Sequence, residues 1–171
     1  EIIINGIEKI SYNHLVSTIP LPILISIMPN VPEDVKQAAQ SLKYTSMLCV
    51  NIGVNRASIS DAQFIYYPER EICFARVSFP VNQSSHAAPE GKTGICVEVP
   101  HSIYKPLNKE TIVIQVMKDL VKVGFLKEDD EILFRDVRDV RYSYVVQDLE
   151  LDKNMKTIQE FLRTKNINSI G

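Results

Sequence analysis

Tyr44-Thr45-Ser46-Met47-Leu48-Cys49-Val50-Asn51-Ile52-Gly53-Val54 is the stretch that decides the fold class. It is apolar, carries no proline, and reads as one long strand. Downstream, Phe64 to Tyr67, Glu71 to Phe79 and Thr93 to Val99 read as further strands separated by turn-rich loops. Links of that length favour antiparallel pairing. Upstream, residues 1–4 and 7–12 form a strand pair about Asn5-Gly6, a strong hairpin signal. His14 to Ile19 is a third apolar strand, ended by Pro20, and Ile23 to Met28 is a short helical turn. Pro32-Glu33-Asp34 starts a helix over 32–42, with Val35, Ala38, Ala39 and Leu42 on one face.

In the last third, Asn108 caps a helix that runs to about Val123 and closes at Gly124. Ile112, Val116, Leu120 and Val123 line its apolar side. Ile132 to Phe134 and Tyr142 to Val146 read as strands around Arg135-Asp136-Val137-Arg138-Asp139-Val140-Arg141, whose alternating signs suit a solvated strand or loop. Asp152 caps a last helix to about Lys165. The sum is an α+β fold, a mostly antiparallel or mixed β-sheet with helices packed on it, organised as a single domain over 1–171.

Composition narrows the functional classes. The chain has 171 residues, 45% of them hydrophobic, and a net charge of -2 from 19 basic and 21 acidic residues. That balance excludes disorder and argues against nucleic acid as a partner. The most apolar run, Leu15 to Met28, is broken by Pro20 and Pro22 and falls short of the ~20 residues of a membrane span. The three cysteines, Cys49, Cys73 and Cys96, sit in apolar runs and read as small buried hydrophobes of a reducing, cytoplasmic compartment. Gly91-Lys92-Thr93 lacks the earlier glycine and the following helix of a phosphate loop. His14, His86 and His101 have no metal spacing. The chain opens on Glu1 and closes on Ile170-Gly171, which leads us to expect a piece of a longer protein.

The stretch His14-Leu15-Val16-Ser17-Thr18-Ile19-Pro20-Leu21-Pro22 resembles a segment of the flavin-containing amine-oxidase superfamily, where an apolar strand runs into Thr-x-Pro beside the flavin. Leu42 to Ser46, Ile65 to Pro68, Phe74 to Pro80 and Ile95 to Val99 follow in an order similar to the middle, substrate-binding part of protoporphyrinogen-oxidase-like proteins and UDP-galactopyranose mutases. Ile167-Asn168-Ser169-Ile170-Gly171 resembles the lead-in to the family's C-terminal flavin motif. The family's Gly-x-Gly-x-x-Gly fingerprint is not present: no three of the six glycines fit it. The resemblance therefore implies a substrate-binding domain whose partner is the FAD-binding domain of the same parent chain. It implies FAD in the parent, and a fragment that holds no cofactor and has no activity by itself.

The resemblance also implies roles for named residues. Arg76, mid-strand between aromatic residues, would orient a small anionic or nucleotide-sugar substrate, its planar fork suiting a diphosphate or carboxylate. Equally, it could be paired with Glu71, Glu98 or another acid. Tyr66 and Tyr67 point to opposite faces of one strand, so one of them could line a cavity. Asn82 could donate to a ligand or make an Asx-turn. Thr18, Pro20 and Gly171 would abut the flavin. The implied parent is an FAD-dependent oxidoreductase, with membership of a cell-surface polysaccharide pathway as one setting. A mutase-like isomerase and a stand-alone binding module are the alternatives.

Overall fold

A computed structural model describes all of residues 1–171. In chain order the elements are β1 (Ile2–Ile4), β2 (Glu8–Ile10), β3 (Leu15–Ser17), α1 (Leu21–Ile27), α2 (Glu33–Gln40), β4 (Tyr44–Val54), β5 (Phe64–Tyr66), β6 (Arg76–Ser78), β7 (Thr93–His101), α3 (Lys109–Lys122), β8 (Ile132–Val145), α4 (Leu151–Thr164) and β9 (Ile167–Ser169). They form two compact units, one of residues 1–44 with 145–171, the other of residues 45–144.

The first unit joins both ends of the chain. β1 and β2 are an antiparallel pair turned at Asn5 and Gly6, both at positive φ (52° and 71°), the conformation an Asn-Gly turn supplies most cheaply. β3 pairs in parallel with β9, Leu15 opposite Ile167 and Ser17 opposite Ser169. α1, α2 and α4 pack one apolar cluster that includes Leu24, Val35, Ala39, Ile158 and Leu162. Pro20 stands at the N-cap of α1, where a missing N–H costs nothing. Asp152 is not the cap of α4. Glu150 holds that position without a side-chain bond, and Asp152 lies in the first turn, favourable to the helix dipole.

The second unit is a five-stranded sheet in the order β5-β6-β7-β4-β8. β4 and β7 pair antiparallel from Ser46 opposite His101 to Val54 opposite Thr93. Strand alternation sends Leu48, Val50, Ile52, Val54, Ile95, Val97 and Val99 to one face. α3 lays Ile112, Val116 and Leu120 on that face, and Phe74, Phe79 and Phe125 complete the core. Asn108 caps α3 by accepting from the Glu110 and Thr111 amides, and Gly124 ends it at φ 82°.

Two further expectations change. The strand over 71–79 shrinks to Arg76–Ser78. Residues before it form a turn pinned to α3, because the Cys73 amide donates to Asp119 Oδ2 at 2.8 Å. Phe74 is thereby freed from strand alternation and enters the core. The charged segment 135–141 does not separate two strands. It lies inside β8, whose place at the sheet edge leaves its side chains in water and makes charges tolerable.

Candidate functional site

The other face of the sheet carries Cys49, Asn51, Gly53, Ser78, Arg76, Gly94, Cys96 and Glu98, fixed there by the alternation that buries their neighbours. α3 packs on the opposite side. One row across the strands reads Tyr66, Arg76, Glu98, Cys49, each directly opposite the next. A row with Phe64, Ser78, Cys96 and Asn51 lies beside it. Over Gly53 lies the ring of Phe134, where a Cβ would stand 2.3 Å from it, so only glycine admits the ring at that spot.

Arg76 is the charged centre of this face. Its Nη2 donates to the Glu98 carboxylate, and its Nη1 reaches Tyr66 Oη at 3.4 Å. Its guanidinium carbon lies 6.0 Å and 5.7 Å from the ring centres of Phe64 and Tyr66, which meet edge to face. The Glu98 bond raises the guanidinium pKa above its ordinary value, so the charge is permanent. Of the two sequence readings, pairing with an acid is therefore realised, and the acid is Glu98. The pairing does not use every donor: Nε is buried without a partner. An arginine has five N–H donors. A buried, unpaired N–H is costly, and a ligand acceptor would relieve it.

Tyr66 and Tyr67 separate as strand geometry requires. Tyr66 shares the Arg76 face, while Tyr67 packs edge-on against Phe74 and Phe125 at 5.2 Å and 6.3 Å between centres. Asn82 donates through Nδ2 to the Ser60 and Ala62 carbonyls at 2.6 Å and 2.7 Å, so its amide holds a loop. The cysteines are half-buried rather than core residues. Cys49 and Cys96 neighbour each other diagonally on the Arg76 face, and burial pushes Cys96 up to about 11 and raises Cys49. Burial, then Asp119, pushes Cys73 up to about 12. Thiols so placed stay protonated and unreactive at neutral pH.

In the first unit the parallel pairing of β3 with β9 gathers Thr18, Pro20 and Gly171 from opposite ends of the sequence. The Ile170 amide donates to the Ser17 carbonyl at 2.9 Å. A Cβ on Gly171 would lie 2.3 Å from the Thr18 oxygen and 2.9 Å from that of Ile19. Both obstacles are backbone, so glycine is required by close approach. Gly171→Ala is expected to part the strands here and speed Ile170 amide exchange by roughly tenfold or more, read by hydrogen exchange. Unchanged protection would show that the backbone yields freely. Beside these residues, Ser169 Oγ is buried without a partner.

Sequence spacing missed two polar clusters. His101 Nε2 lies 2.9 Å from Asp139 Oδ1, and Lys109 Nζ lies 2.5 Å from Oδ2. Lys109, more than His101, holds the Asp139 carboxyl below its usual value. Arg56 grips Asp130 through Nε and Nη2 at 2.9 Å and 2.8 Å and bonds the Phe125 carbonyl. These partners come from different strands and loops, and no local motif marks them. No three His, Cys, Asp or Glu side chains are grouped to hold a metal ion. No helix is long and apolar enough to cross a membrane.

A mostly antiparallel sheet with one helix-covered face and one polar, aromatic face, beside a helical unit built on short strand pairs, defines an α+β protein. The family model for flavin containing amine oxidoreductase matches residues 3–159, and the chain belongs to that family. Among solved structures, a reduced UDP-galactopyranose mutase matches 92% of this chain with a TM-score of 0.83 at 23% identity. An Exiguobacterium sp. 255-15 protein assigned as a protoporphyrinogen oxidase matches 91% with a TM-score of 0.68 at 14% identity. A fatty acid isomerase from P. acnes, producing CLA, matches 92% with a TM-score of 0.62 at 14% identity. The chain spans only 35%, 35% and 36% of these three proteins.

Toward a flavin, this flank offers one unsatisfied polar atom, the buried Ser169 Oγ, while the space at the Gly171 α-carbon is taken by the Thr18 and Ile19 backbone. For a pyrophosphate, residues 1–171 offer no suitable glycine turn. The positive-φ glycines, Gly6, Gly91 and Gly124, stand apart in a hairpin, a turn and a helix end.

Proposed function

We propose that this chain is the substrate-binding part of a larger FAD-dependent oxidoreductase, and that Arg76 orients a small anionic substrate on the open sheet face. The observation that carries the reading is the Arg76 centre: a permanent cation between two aromatic rings, with a buried N–H left unpaired. Glu98 fixes the plane of the guanidinium through Nη2, which leaves the Nη1 hydrogen not directed at Tyr66 for a ligand acceptor. The Phe64 and Tyr66 rings add apolar surface for the body of the substrate. The flavin, when bound, supplies a hydride acceptor, so no general base is needed from this chain. Thr18, Pro20, Ser169 and Gly171 would flank it, and the pyrophosphate would be held by the FAD-binding domain of the same parent. Tyr67 and Asn82 then serve the site only by holding core and loop.

A second reading keeps the same residues and changes the chemistry to isomerisation of a nucleotide sugar, which would place the protein in cytoplasmic steps of cell-surface polysaccharide synthesis. The likeness to UDP-galactopyranose mutase favours it, as does the fit of an arginine edge to a diphosphate. One measurement separates the readings. The full-length protein is expected to show a flavin absorption spectrum that bleaches once per substrate turned over in the absence of an electron acceptor. Turnover without net acceptor consumption would favour the isomerase. A colourless full-length protein that gains no spectrum with added FAD would sink both.

A further inference from the structure

We propose that β8 pairs with β8 of a second copy of this protein, antiparallel about a two-fold axis through Val137. β8 ends the sheet order, so one of its edges meets no strand within this chain. It runs for 14 residues, and Phe134, Val137 and Val140 on it are 54%, 43% and 43% exposed. A long edge with unpaired backbone groups is a template for another strand.

The sequence of that edge specifies its partner. Arg135-Asp136-Val137-Arg138-Asp139-Val140-Arg141 repeats Arg-Asp-Val with a period of three. In an antiparallel pair, facing residues share a face, so a two-fold axis must pass through a residue rather than between two. An axis through Arg138 would set Arg138 against itself and Arg135 against Arg141. An axis through Asp136 or Asp139 would oppose like acids. Through Val137, Asp136 faces Arg138 and Arg135 faces Asp139, each pair made twice by the symmetry, and Arg141 faces the apolar Leu133. Val137 then meets its own copy, and Phe134 meets Val140. An axis through Val140 matches only Asp139 with Arg141. The strand is therefore complementary to itself, in one register above the others. Opposite charges and β-branched or aromatic pairs facing across strands are the favourable cross-strand contacts. Asp136 and Arg138 now bond each other at 2.8 Å with side chains 42% and 73% exposed, so exchanging partners disturbs no core.

The test uses the full-length protein. Sedimentation equilibrium is expected to find an association that weakens as salt is raised. Arg138→Asp sets like acids opposite each other twice and is expected to weaken it by about tenfold or more. Adding Asp136→Arg to Arg138→Asp swaps the pair and is expected to restore it. Register is read by cross-linking. Val137→Cys is expected to form an intermolecular disulfide on mild oxidation, because facing Cβ atoms stand about 5 Å apart. Val140→Cys is expected not to, since its symmetry mate would lie roughly 20 Å away. A monomer at all concentrations overturns the proposal. So does an association indifferent to Arg138→Asp, which would mean that another surface binds or that the parent chain covers this edge. Equal cross-linking at both positions would also overturn it. None of these readouts depends on flavin, so the outcome stands apart from the functional proposal.

Discussion

Arg76→Ala in the full-length protein is expected to lower kcat/KM by about 30- to 1000-fold, the ~2–4 kcal/mol that a charged contact in the transition state commands. The same change strips Glu98 of its partner, and an unpaired, largely buried carboxylate would destabilise the sheet by itself. The two effects separate in the double variant. Arg76→Ala with Glu98→Gln removes the stranded charge, so the melting temperature should recover most of what the single variant lost. Catalysis should not recover, because the substrate's cation remains absent. If kcat/KM returns together with stability, Arg76 is only Glu98's counter-ion and leaves the proposed site. Arg76→Lys gives an intermediate result on the site reading, since a point charge keeps attraction but loses the planar edge.

Asp119→Ala is expected to cost the fold about 2–4 kcal/mol, measured by denaturant unfolding. Asp119 is 3% exposed, and its carboxylate takes the Cys73 amide at 2.8 Å and Gln115 Nε2 at 2.9 Å. Burial opposes its charge. The Cys73 amide and thiol, Gln115 and Lys122 more than offset that, and its pKa lies below the usual carboxylate value. The sign of the pH dependence follows. A folded pKa below the unfolded one gives stability that is full above about pH 4, the unfolded value. It drains away as pH falls toward the folded pKa. Asp119→Ala should therefore flatten the acid limb of the stability profile as well as lower the plateau. A loss under about 0.5 kcal/mol, or an unchanged acid limb, would mean that the turn before β6 is held by Phe74 burial alone.

Much of the fold was legible because local patterns agreed with tertiary demand. β4 occupies the span its sequence assigned, since its alternating apolar residues fit one face of a sheet. α3 keeps its expected cap and closing glycine. β6 and β8 differ because the deciding influence lay elsewhere in the chain. A carboxylate on α3 turns the chain before Arg76. A place at the sheet edge lets β8 carry charges that a central strand would refuse.

By itself the sequence determined the class of fold and the strand that anchors it, because period and turn chemistry act over a few residues, while the candidates Arg76, Tyr66 and Gly171 came with the family resemblance. Tertiary structure alone decided that Glu98 neutralises Arg76, that Tyr67 turns inward and that Thr18 closes on Gly171. Those outcomes depend on which strands become neighbours and in what register. Register is set by the summed burial of a whole sheet face, which no short stretch of chain encodes.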